Sequence, residues 1–262
     1  MPDTKKTGGL LAFFTLSCAI TWACALPTAL AFARHEVPGP TALSLAGLSA
    51  FGPMLAAVFV AARHRQVGAM FRPWRGRWRW VVIALFTPMA LQLTGKLLAA
   101  ALGWPASVWV NLPVEPQHVA ALILLCVGEE FGWRGFAHPR VVARYGSVRG
   151  SLLLGGVWAV WHAMYLVSPH SGTIDPVLSI MMLSIPPYAI LYAWLLERGG
   201  GSLAIALALH AGAHLDNINR LPAEELGVRV ITLILVAVAA TLAARSLRSS
   251  DAVRRRAQPR PR

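Results

Sequence analysis

The stretch that decides the fold reads Val127-Gly128-Glu129-Glu130-Phe131-Gly132-Trp133-Arg134-Gly135-Phe136. Two adjacent carboxylates and an arginine stand in a run that is otherwise apolar from residue 119 to 137. A run of that length crosses most of a bilayer, and each charge at mid-depth costs roughly 2.5 to 3.5 kcal/mol on insertion scales. Such charges call for a pairing or a function. On an α-helix, residues four apart share a face, so Glu130 and Arg134 lie about 40° apart on the wheel and can pair. Glu129 lies about 100° from Glu130 and about 140° from Arg134, outside that pair. One carboxylate is left pointing into the bundle without an intrahelical partner.

Working outward, the 262-residue chain is 56% hydrophobic and 13% charged, with a mean hydropathy of +0.56. Soluble domains are nearer one quarter charged, and a soluble protein this apolar lacks the polar surface to cover itself. The composition therefore points to an all-α, polytopic membrane protein. The net charge of +13 does not imply a nucleic-acid partner, because the basic residues collect in short segments between apolar runs. Cys18, Cys24 and Cys126 lie within apolar runs without CxxC spacing, and they read as small core residues.

Apolar segments fall at 10–33, 41–62, 80–101, 118–138, 150–168, 175–196, 202–219 and 228–244. Most are near the ~20 residues a helix needs to cross ~30 Å of hydrocarbon. With the N terminus inside, the inside segments hold 19 of the 24 Lys and Arg; Arg34, Arg220 and Arg229 fall outside, and Lys96 and Arg134 within spans. That alternation satisfies the positive-inside rule at every loop. The expectation is a bundle of about eight transmembrane helices around an intramembrane cavity, in the plasma (inner) membrane with both termini cytoplasmic. Lys5, Lys6 and the following apolar run imitate a signal peptide, but the run is longer than an h-region. It reads as a retained helix kinked at Pro27. The basic, Trp-containing loop 63–79 reads as an interfacial segment facing anionic lipid headgroups. Residues 1–250 form one integral-membrane domain, and the basic tail 251–262 is expected to be disordered.

Three histidines also fall at membrane depth: His162 in the fifth segment, His210 and His214 in the seventh. A lone histidine on an apolar helix is most often a packed, hydrogen-bonded residue. Counted from the inner ends of their spans at 1.5 Å per residue, Glu129 lies roughly 13 Å deep, His162 ~18 Å, His210 ~12 Å and His214 ~18 Å. Helices running in alternating directions thus bring them to one layer. His210, His214 and Asn217 share a helix face. A carboxylate and three imidazoles at one level suit either a metal site or an acid–base constellation. His210-x-x-x-His214 lacks the glutamate that serves as base in the zinc-protease HExxH motif, so a base must come from another helix. Glu129 is the candidate.

Glu129-Glu130-x-x-x-Arg134, Trp158-x-x-x-His162 and His210-x-x-x-His214 together resemble the motifs of the CAAX-protease and bacteriocin-processing (CPBP) family, intramembrane endopeptidases of the type II CAAX prenyl protease kind. The family pattern is EExxxR, FxxxH and HxxxN or HxxxD, and the likeness spans about residues 118–220. The resemblance implies an endopeptidase acting in the bilayer on a membrane-associated peptide or protein, lipidated or not. In it Glu129 activates water, while His162 and His210 complete the catalytic set. His214 and Arg134 would assist the oxyanion or a metal, and Glu130, Trp158 and Asn217 would orient the site. A zinc ion held by Glu129, His162, His210 and His214 and a metal-free glutamate mechanism both fit these motifs. Trp158 replaces the family phenylalanine, and His214 replaces the usual Asn or Asp. A non-catalytic immunity or scaffold protein and an ion-coupled transporter are the alternatives from other classes. The first does not need the intact Glu129, His162 and His210; the second lacks paired repeats.

Overall fold

A computed structural model describes residues 9–70, 77–106, 115–166, 176–215 and 226–257. Among these residues every regular element is helical, as the composition required. In chain order the helices are α1 (Leu10–Ala33), α2 (Pro40–Ser49), α3 (Gly52–Arg63), α4 (Trp78–Ala101) and α5 (Pro116–Glu130). A π-helical turn, Phe131–Ala137, joins α5 to α6 (His138–Tyr145). Then come α7 (Ser147–Trp161) with a 3₁₀ turn His162–Tyr165, α8 (Pro176–Arg198), α9 (Leu203–Leu215) and α10 (Leu226–Ala257). Proline opens α2, α3, α5 and α6 at their first turns, where its missing N–H costs no helical bond.

The protein is a multi-pass membrane protein. Leu10–Ala33, Trp78–Ala101, Ser179–Arg198 and Leu226–Asp251 are each long and apolar enough to cross a bilayer. Large side chains such as Phe59, Phe86, Leu97, Ile123, Val160 and Leu242 stand exposed on the bundle's outside, the surface that lipid would cover. Each of the eight apolar segments contains helix; among the described residues four helices qualify as spans by length and composition, or five when α2 and α3, bent by 53°, count as one span. Two motif-bearing segments are interrupted as α-helices: the fourth carries its charges and the π turn, and the fifth gives way to a 3₁₀ turn at His162. The expected tail also starts later, since α10 runs on as helix to Ala257. Asp251 there takes hydrogen bonds from Ser147 N at 3.1 Å and Ser147 Oγ at 2.9 Å, which caps α7.

Two packing arrangements position the site. On one side, α1, α2 and α3 pack together, and the bent α2–α3 joint presses on α5 and the π turn. Glycines make that approach possible: a Cβ on Gly128 would stand 2.8 Å from Ala50 O, and one on Gly132 2.5 Å from the Pro53 carbonyl carbon. On the other side, α9 lies on α4 so closely that a Cβ on Gly212 would meet Leu85 O at 2.0 Å. The α8 helix lies between α7 and α10. These contacts leave the far faces of α5, α7 and α9 turned towards one another. Gly132→Ala should therefore cost about 1 to 3 kcal/mol through overpacking, read as a lower Tm in detergent. Gly156→Ala, where an added Cβ meets nothing within 4 Å, is the control and should leave Tm in place.

Candidate active site

The end of α5 and the π turn supply the first motif. Arg134 Nη1 donates to Glu130 Oε1 at 2.8 Å with both side chains buried, the pair that the four-residue spacing predicts. A π turn adds a residue to the helical turn and is frequent at functional sites; here it lies within the Gly-rich Phe131–Ala137. Glu129 finds its partner on another helix: Trp158 Nε1, from α7, donates to Glu129 Oε2 at 3.0 Å. The two neighbouring carboxylates are thus served by different elements.

The α7 helix and its 3₁₀ extension are pinned from the N-terminal side. Trp161 Nε1 donates to Thr21 Oγ1 at 2.8 Å, Thr21 Oγ1 donates to Ser49 O, and Trp22 Nε1 donates to Trp161 O at 3.0 Å. This anchorage places His162 at the start of the 3₁₀ turn. His162 Nδ1 lies 2.7 Å from Trp158 O, and a carbonyl can only accept, so Nδ1 carries the proton and Nε2 is the acceptor of the neutral ring. His210 Nδ1 likewise meets Glu130 Oε1 at 2.7 Å. His214 stacks on His210 with ring centroids 5.1 Å apart. Trp158 is the hub, its ring 5.5 Å from that of His162 and 5.8 Å from that of His210.

The layer inferred from depth counting is therefore one connected cluster in which Glu129, Glu130, Arg134, Trp158, His162, His210 and His214 meet. Asn217 lies outside the described residues. Tyr192 of α8, which the motifs do not predict, belongs to the cluster. The Arg134 guanidinium sits 3.6 Å from the Tyr192 ring centroid and 4.0 Å from that of Trp158, cation–π contacts that a desolvated cation favours. Among the described residues, Arg134 Nε and Nη2 and Glu130 Oε2 meet no hydrogen-bond partner. Beside the cluster lies a half-open cavity of about 120 Å³. Trp158, Tyr192, His162, His210 and His214 form its polar wall, and Ile185, Leu209, Leu233 and Val236 are among its apolar residues. Glu129 is joined to that wall through the Trp158 indole. Gln92 and Arg229 also line the cavity. A buried glutamine at membrane depth was a readable signal; Tyr192, an aromatic in an apolar run, gave none.

Among the described residues no group of three or more His, Cys, Asp or Glu side chains is arranged to hold an ion. The carboxylate nearest His210 is that of Glu130, already committed to Arg134, while Glu129 faces the indole. As arranged among the described residues, Glu129, His162, His210 and His214 are not gathered as one ligand set.

Residues 112–215, which hold all three motifs, match the family described as type II CAAX prenyl endopeptidase Rce1-like. The chain is also 30% identical over 105 residues to CAAX prenyl protease 2 of Methanococcus maripaludis. That stretch covers 38% of this chain and 38% of the relative, so well under half of either protein is compared. The family resemblance carried by the three motifs is borne out: over residues 112–215 this all-helical membrane chain matches the Rce1-like type II CAAX prenyl endopeptidases.

Proposed function

We propose that the protein is an intramembrane endopeptidase that hydrolyses a peptide bond of a membrane-associated, prenylated peptide or protein, with Glu129 as general base. The observation that carries this reading is the meeting of the three motif helices in one buried cluster beside a cavity. Glu129 takes a proton from water as its oxygen attacks the scissile carbonyl. His210, oriented by Glu130 through Nδ1, donates to the developing oxyanion from its other nitrogen when protonated. Glu129 then gives that proton to the leaving amine, and His162 Nε2, on a ring held by the Trp158 carbonyl, accepts the remaining hydroxyl proton as the tetrahedral adduct collapses. Arg134 offsets the Glu130 charge, and the low-dielectric surroundings strengthen each of these interactions. The apolar side of the cavity suits a lipid chain entering from the bilayer.

The test is a fluorescence-quenched farnesylated peptide ending in a CaaX sequence, offered to the protein in detergent. Cleavage should be at least about tenfold faster than for the unprenylated peptide, since burying a prenyl chain contributes binding at ~0.8 kcal/mol per CH₂. A folded wild type that cleaves neither peptide contradicts the reading. Both termini are placed in the cytoplasm and the protein in the plasma membrane, on the basic loops alone. Reporter fusions at Gln66 and Asn111 should read inside and outside respectively; both on one side contradicts that orientation.

A further inference from the structure

We propose that Trp158 is a positioning residue for the reaction, its indole N–H holding the Glu129 carboxylate in the orientation the general base requires. This rests on the peptidase reading above. Glu129 has no partner on its own helix, because the i,i+4 arginine is taken by Glu130. A carboxylate on a flexible side chain, left alone, samples several rotamers, and a base must be held close to its working geometry. Trp158 Nε1 engages Oε2 at 3.0 Å, so one oxygen is tied and its fellow is directed by that bond.

The donor is itself rigid. One ring face carries the Arg134 guanidinium at 4.0 Å, and Tyr192 packs edge-on with centroids 5.8 Å apart. The Trp158 carbonyl accepts from His162 Nδ1, so the same residue orients base and histidine together. One turn earlier Gly155 seats α7 against α8, where an added Cβ would stand 2.6 Å from Pro186 Cα. The residue is 6% exposed. Phenylalanine, which the family motif carries here, would keep the ring contacts and lose the N–H. Packing and hydrogen bonding by this residue are therefore separable.

The experiment compares wild type with Trp158→Phe and with Trp158 replaced by β-(3-benzothienyl)alanine, an isostere that has sulfur in place of the N–H. Turnover of the farnesylated quenched peptide gives kcat and KM, and thermal unfolding gives Tm. A hydrogen bond to a charged acceptor is strong enough that its loss should lower kcat about tenfold to a hundredfold. KM should stay within about twofold and the isostere's Tm should not move, a split that a merely structural role does not produce. Independently of turnover, the ¹⁵N-indole resonance of Trp158 should shift in Glu129→Ala. Full kcat with the isostere, faster turnover without the N–H, or an indole resonance indifferent to Glu129→Ala would overturn the proposal. A wild type that cleaves nothing sinks the peptidase reading and the positioning role together, whereas full activity in the isostere sinks the positioning role alone.

Discussion

Glu130→Gln and Arg134→Met, made singly, should each destabilise the protein by about 3 to 5 kcal/mol, because each strands a buried charge. The pair is fully enclosed, with Glu130 Oε1 shared between Arg134 Nη1 and His210 Nδ1. The arginine also packs on Trp158 and Tyr192, so methionine keeps part of that apolar contact. The double variant should recover a good part of the loss, since no uncompensated charge then remains. Unfolding titrations in mixed micelles check this. Losses that simply add would show that the two side chains do not depend on each other.

Glu129→Gln should behave in the opposite way, costing activity and not the fold. The amide is nearly the shape of the carboxylate, and its oxygen can still accept from Trp158 Nε1. A positioned base contributes typically 10²–10⁴-fold, so turnover should fall by at least about a hundredfold. The Tm should stay within a few degrees of wild type. Retained turnover with a lowered Tm would make Glu129 a packed polar residue. His214→Asn separates two versions of the chemistry. If the imidazole donates a hydrogen bond, the family's asparagine should keep most of the activity. If it ligates zinc, activity and bound metal, read by elemental analysis, should fall together.

The partnership of Glu130 with Arg134 was legible in the sequence because four-residue spacing on a helix fixes which side chains can meet. The position of Glu129 outside that pair was legible for the same reason. Its partner was not, because Trp158 reads as an aromatic substitute for phenylalanine, and a donor's direction depends on how α7 lies against α5. Depth counting brought the histidines to the right layer, yet it could not tell that His210 would turn to Glu130 and not to Glu129. The π turn was hidden, since seven residues of Phe131–Ala137 fit an α-helical pattern equally well. Gly128 and Gly132 were a signal left unread: small residues four apart mark a close helix approach, here against the α2–α3 joint. The bend between Ser49 and Gly52 was not legible, because hydropathy windows pass over it.

The most direct test is to compare peptides released from membranes containing wild type or Glu129→Gln, with and without chelator, in ¹⁸O-water. The account predicts wild-type-specific peptides that carry one solvent oxygen in the newly formed carboxyl group, on whichever fragment bears it. It predicts none of these from Glu129→Gln, which should be present in equal folded amount. Equal release from both membranes, or products without solvent oxygen, would contradict water activation by Glu129.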